Sequence, residues 1–287
     1  MLIFIFLLII IGFGFVLSQY YGSPALLVLA VLFSTVTAFI SYFFSDKITL
    51  AISHAQEIDL KTQPALYRIV ENLTIAAGLP MPRVYVIDDS AINAFATGRN
   101  PKNAVVCVTT GALQRLDQTE LEGVLAHELS HIGNYDIRFM TLVVVLVGTV
   151  TLLADWMFRA SLFGGRRRSN DSGGNNGLFL VIGLVLAILS PIVATLIQLA
   201  VSRKREYLAD ASGALLTRYP EGLASALEKI QADKEPLEVA NKATAHLYIA
   251  NPLKDPDGKT PSGWFANLFN THPPIEDRIK RLREMGG

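Results

Sequence analysis

Cysteine, charge and any excess of one charge sign are what this 287-residue chain has least of. Its single cysteine, Cys107, has no partner for an internal disulfide and stands outside any paired ligand spacing, so any metal must be held by histidine and carboxylate. The 25 Lys and Arg balance the 25 Asp and Glu. With no basic field to collect nucleic acid and no acidic block to form a solvating tail, nucleic acid is not an expected partner. Charged residues make up only 17% of the chain against 51% hydrophobic, which is the composition of a membrane protein. No internal repeat is visible.

From Leu2 to Ser45 no side chain is charged, and the run is broken once, by the polar turn-forming stretch Ser18 to Pro24. A spanning helix needs about 20 apolar residues. Leu2 to Leu17 and Ala25 to Phe44 therefore predict two of them within 1–45, the first without the basic n-region and cleavage site of a signal peptide. Residues 46–138 read as the first part of a soluble domain, with a helix over Ala65 to Ala77 and strands at Val84 to Ile87 and Ala104 to Val108. Two further apolar runs, Phe139 to Phe158 and Leu178 to Val201, predict a helical hairpin at 139–201 around the basic, Gly-rich linker Gly164 to Gly177. Residues 202–287 are again soluble: a helix from Glu221 to Gln231, a Pro/Gly-rich loop from Asn251 to Gly263, and a basic helix opened by Pro273 and Pro274 and running to Arg283. The expected fold is a membrane α+β protein, mostly helical, with four transmembrane helices and a catalytic domain that carries a small β-sheet.

His127-Glu128-Leu129-Ser130-His131 matches H-E-x-x-H inside a helical pattern from Glu120 to Ile132, with Asp117 or Thr119 as the cap. On a helix, residues four apart share a face, so both imidazoles reach one ion while Glu128 points beside it toward an attacking water. The bland alternative is a surface helix that happens to carry two histidines. A catalytic zinc site needs a third protein ligand, and Glu206 is the best candidate. His131 to Phe158 is 27 steps and Leu178 to Glu206 is 28, so a hairpin with arms of about 40 Å, at about 1.5 Å per residue, returns Glu206 to the level of His131. Asp210, four residues on and on the same face, is placed to accept the second ring N–H of a ligating histidine. The alternative for Glu206 is an exposed ion pair with Arg203 or Lys204. Glu128 is expected to act as general base and then to protonate the leaving amine.

These residues resemble the HtpX-like integral-membrane zinc metalloproteases, relatives of the membrane prenyl-protein endopeptidases. The resemblance covers nearly the whole chain. It rests on His127 to His131, Glu206-Tyr-Leu-Ala-Asp210, Asn93-Ala-Phe-Ala-Thr-Gly98, Thr271-His-Pro-Pro274 and the order of the apolar segments. It implies a zincin-like domain of the gluzincin type, with one Zn2+ per chain, His127, His131 and Glu206 as ligands and Glu128 as general base. It implies that Asn93, Ala94 and Phe95 border the site, where an extended substrate adds as a strand; the residues alone read as an exposed loop or strand. It implies a place for His272 near the zinc, as oxyanion stabiliser or blocking ligand, where the sequence alone reads a loop histidine ahead of a Pro-Pro helix start. The implied substrates are polypeptides, misfolded or membrane-attached, cleaved in protein quality control under stress.

Arg138 and Ser202 mark the membrane edge, which puts the zinc close to the bilayer surface. Lys47, Lys61, Arg138, Arg203, Lys204 and Arg205 lie on the domain side, against Arg159, Arg166, Arg167 and Arg168 near the hairpin loop. The positive-inside rule then favours a cytoplasmic catalytic domain, and with the apolar runs the expected location is multi-pass in the cell inner membrane. An alternative lets the hairpin dip without crossing. The rival function is a non-enzymatic assembly factor or chaperone-like protein with a closed structural zinc site. Closed sites use four protein ligands, often cysteines, and the motif has no thiolate beside it.

Overall fold

The computed structural model describes residues 2–146, 149, 203–239, 244–250 and 273–286. Most of the predicted hairpin, the loop at 251–263 and His272 lie outside the described residues. The chain divides into two units, one of residues 1–43 with 145–196 and one of 44–144 with 197–287.

Two apolar helices open the chain, α1 (Leu2–Tyr21) and α2 (Pro24–Ile52), parted by Gly22 at a left-handed φ of 62°. α2 continues past residue 45, where the apolar run ends, because Asp46 and Lys47 remain compatible with helix and Asp46 is paired with Arg83 at 2.9 Å. By length and composition α2 is the one helix among the described residues that suffices to cross a membrane; the shorter apolar core of α1 is Phe6–Gln19.

The second unit is built on four strands: β1 (Gln56–Ile58), β2 (Arg83–Ile87), β3 (Ala94–Gly98) and β4 (Ala104–Thr109), in the order β1-β2-β4-β3. The central pair β2 and β4 is parallel and both outer pairs are antiparallel. Val105, Val106, Cys107 and Val108 of β4 are fully buried, as a β-branched run covered on both faces requires. β1, only three residues long, carries no strand signal in the sequence. β3 forms in the stretch that reads as an exposed loop or strand, and it is buried throughout, with Phe95 set opposite Cys107.

α3 (Pro64–Ala77) starts on a proline, which needs no N–H partner in a first turn, and ends at Gly78, whose φ of 64° turns its N–H onto the Ile75 carbonyl. After the short α4 (Thr110–Arg115), Asp117 opens α5 (Gln118–Gly133) with a reciprocal cap: its carboxylate accepts from the Glu120 N–H while the Glu120 carboxylate accepts from the Asp117 N–H. Asp117, not Thr119, is thus the cap. The chain turns at Tyr135 (φ 60°) into a helical stretch at 136–146. α6 (Arg203–Thr217) and α7 (Pro220–Ala232) pack on α5, and α8 (Ile275–Met285) packs on α7 and α6. Leu125, Leu129 and Ile132 of α5 meet Leu223 and Leu227 of α7 in the core.

Glycine sets two of these approaches. A Cβ on Gly123 of α5 would stand 2.6 Å from the Leu223 backbone nitrogen, and one on Gly213 of α6 would stand 3.0 Å from that of His127. The second contact seats α6 directly on the H-E-x-x-H helix. For Gly123→Ala, helix propensity alone favours alanine by about 1 kcal/mol, so the packing decides the sign. The expected result is a net loss of about 1–3 kcal/mol, read as a lower thermal unfolding midpoint in detergent; an equal or higher midpoint would show that α5 and α7 can part without cost.

Candidate active site

α5 presents His127, Glu128 and His131, and α6 presents Glu206 and Asp210, all of them buried. His127 Nε2 and His131 Nε2 are 3.2 Å apart, Glu206 Oε2 is 3.7 Å from the first and Glu206 Oε1 is 3.4 Å from the second. The Glu206 carboxylate is buried, so it is not the exposed ion pair considered above. On the far side of each ring a carboxylate accepts from Nδ1: Asp210 Oδ1 at 2.9 Å for His127 and Asp136 Oδ2 at 3.1 Å for His131. A carboxylate only accepts, so the ring protons sit on Nδ1 and the two Nε2 lone pairs face each other and Glu206.

This donor set fits a metal ion. Two imidazole lone pairs and a carboxylate held against one another repel unless a cation lies between them, and ligands about 2 Å from a tetrahedral zinc stand about 3.3 Å apart. Among the described residues, His127, His131 and Glu206 are the group of three whose ligand atoms all lie within 4.8 Å of one another.

The surroundings push the titrating groups in different directions. Burial drives His127 down to about 4. Burial would lower His131 too, but the Asp136 and Glu206 carboxylates outweigh it and hold the ring up at about 9. Burial pushes the Glu128 carboxyl up to about 7, against the pull of His131 and of the Ala96 N–H. A carboxylic acid poised there suits proton transfer near neutral pH. For Asp210, burial is outweighed by the Arg278 guanidinium and His127, and the carboxyl stays ionised at about 2.

Three participants escape the sequence reading. Asp136 follows His131 by five residues, beyond the end of α5, so helical spacing does not reveal it. Arg205 donates from Nη1 to Asp136 Oδ1 at 2.7 Å and lies over the Phe139 ring at 4.9 Å. Arg278 of α8, fully buried, donates to both oxygens of Asp210. The signal for Arg278 was its place on the same helix face as Ile275 and Leu282, where a cation must have a buried partner.

Ala94 and Phe95 lie in β3 with Asn93 just before it, and this strand meets the site through the Ala96 N–H on Glu128. The outward-facing groups of this edge strand are partnered by the chain itself: the Ala94 carbonyl accepts from the Ile249 N–H at 3.0 Å, the Ala96 N–H acts on Glu128, and the Gly98 N–H donates to Thr141 Oγ1 at 3.1 Å. Asn93 Nδ2 donates to the Ala250 carbonyl at 3.4 Å, and Tyr248 meets Phe95 edge-on with centroids 5.1 Å apart. Residues 248–250 thus lie along the β3 edge. His272 is outside the described residues.

Comparison with known proteins agrees with this geometry. The chain is 48% identical over 286 residues to the "Protease HtpX homolog" of Tropheryma whipplei strain Twist, covering 100% of this chain and 94% of that protein. The homolog from Dictyoglomus thermophilum is 50% identical, covering 88% of this chain and 82% of its own. That of Syntrophobacter fumaroxidans is 52% identical, with 85% and 84% covered. The crystal structure of S. mikatae Ste24p shares the fold, with a TM-score of 0.52 at 20% identity; 97% of this chain is covered, and it spans 61% of that protein's length. Since residues 60–286 match the profile of Peptidase family M48 and the HtpX relatives match along the whole length, the chain belongs to peptidase family M48, among its HtpX-like members.

Proposed function

We propose that this membrane metalloprotease is a zinc-dependent endopeptidase in which His127, His131 and Glu206 hold the metal and Glu128 moves the proton. The observation that carries the proposal is the buried, converging donor set, with the carboxyl of Glu128 one residue from His127 on the same helix. Zinc, when bound, supplies Lewis acidity toward the attacking water and the scissile carbonyl. Glu128 takes a proton from that water and returns it to the leaving amide nitrogen. Asp210 and Asp136 keep the imidazoles in the tautomer that offers Nε2. Asn93, Ala94 and Phe95, with the rest of the β3 edge, align an extended substrate backbone beside Glu128. His272 lies outside the described residues and is proposed, on the family resemblance alone, as an oxyanion stabiliser or blocking ligand.

Misfolded or membrane-attached polypeptides in quality control are the proposed substrates. What supports this is the family and an α2 whose stretch from Pro24 to Ser45 is uncharged and long enough to anchor the domain at a bilayer. The assembly-factor alternative has no comparable support, since the matched relatives carry the name protease. We place the catalytic domain, residues 46–138 and 202–287, on the cytoplasmic side of the cell inner membrane. Four spans follow if both apolar runs of 139–201 cross.

Three measurements test these assignments. Glu128→Gln is expected to keep its zinc while casein cleavage falls at least about 10²-fold; activity within tenfold of the parent would remove Glu128 from the proton-transfer role. Glu206→Ala is expected to lose most of its zinc on dialysis against a mild chelator, and full retention would mean that another residue completes the site. For topology, Cys107 is buried and burial pushes its thiol up, so a cysteine at Ser172 is the one reactive thiol. With four spans it reacts with an impermeant maleimide outside intact cells, whereas labelling only after lysis supports a hairpin that returns without crossing.

A further inference from the structure

We propose that Arg278 is a positioning residue for the metal centre, clamping Asp210 so that His127 keeps its Nε2 toward His131 and Glu206. The inference rests on the metal-binding reading above. Arg278 Nε donates to Asp210 Oδ2 at 2.9 Å and Nη2 to Oδ1 at 2.7 Å, so the planar fork takes both carboxylate oxygens. Oδ1 is also the atom that receives His127 Nδ1. A carboxylate bound at one oxygen can rotate behind its histidine; bound at both it cannot, and the imidazole is fixed with it.

The remaining arm of the guanidinium reaches elsewhere. Nη1 donates to the Ile249 carbonyl at 3.0 Å, and Ile249 is the residue whose N–H sits on Ala94 of β3. One buried cation therefore ties the support of a metal ligand to the segment along the substrate edge. Arg278 also stands 3.9 Å from Glu206 Oε2, too far for a hydrogen bond, so it acts there by charge alone.

Packing does not explain this residue. A wholly buried guanidinium costs desolvation that an apolar side chain between Ile275 and Leu282 would avoid, and it stands where a carboxylate needs orienting. The equivalent partner on the other ligand is less firmly held. Arg205, which binds Asp136 behind His131, is 34% exposed and uses one nitrogen. Arg278 should therefore matter more to the metal than Arg205 does.

The test uses the full chain in detergent, with zinc affinity measured by competition against a chromophoric chelator and the metal-free unfolding midpoint recorded beside it. Arg278→Lys keeps the charge but replaces the fork by a point donor. Its zinc affinity should fall about 10 to 100-fold, as losses of outer support do, with the metal-free midpoint near that of the parent. A double-mutant cycle guards against misfolding: Arg278→Gln with Asp210→Asn removes both charges together. That double variant should lose no more affinity than its worse single, whereas Arg278→Gln with Asp136→Asn should show the product of the two single losses. Zinc affinity of Arg278→Lys within about threefold of the parent, or independent losses with Asp210→Asn, would overturn the proposal. A parent chain that binds no zinc would instead overturn the metal reading itself.

Discussion

Charge balance away from water is the constraint on which the site depends. Glu128, Asp136, Glu206 and Asp210 are four buried carboxylates gathered around two imidazoles, and burial makes an uncompensated carboxylate costly. Arg205 and Arg278 return two positive charges. With both imidazoles neutral, two negative charges remain, which is the charge of a divalent cation with the opposite sign. The same surplus of carboxylates holds His131 up against burial, while burial itself, with Glu206 beside it, raises Glu128. Under the proposed function, a peptidase centre and an electrostatically closed core are one solution to one problem.

The helices make that gathering possible. Glu206 and Asp210 are more than seventy residues from the motif, and they arrive because α6 lies directly on α5, with Gly213 against the His127 backbone. A side chain at that position would move α6 outward and Glu206 with it. The capping box at Asp117 and the Gly123 contact with α7 hold α5 from its other end. Helix packing, more than any loop, sets the distances among the ligand atoms.

Much of this was legible in the sequence, because helical spacing is local. His127, Glu128 and His131 declare their geometry within five residues, and the four-residue step from Glu206 to Asp210 puts two carboxylates on one helix face. The helices α3, α5, α7 and α8 begin and end within a few residues of where prolines, caps and apolar periods put them. What was not legible depends on contacts distant in sequence. β3 reads as turn-prone and exposed, yet Phe95 is buried because β4 pairs on one side and Tyr248 closes the other. β1 is a strand only because β2 offers it an edge. Arg278 looks like one more cation on a basic helix until Asp210, 68 residues earlier, is placed beside it.

Under the proposed activity, an extended chain approaching β3 does not meet a bare edge. Ile249 already donates to Ala94, and its own carbonyl is held by Arg278. Exchanging one backbone hydrogen bond for another changes little, since each contributes only about 0.5–1.5 kcal/mol net. The exchange is decided by apolar contact instead, because an entering chain must replace the packing of Tyr248 on Phe95 with packing of its own. It must also arrive with its backbone N–H and C=O groups free to pair. A folded protein offers neither property, since its apolar side chains are buried and its backbone is already paired. An unfolded or unassembled segment offers both, so the covered edge selects for the state of the substrate before any side-chain preference applies.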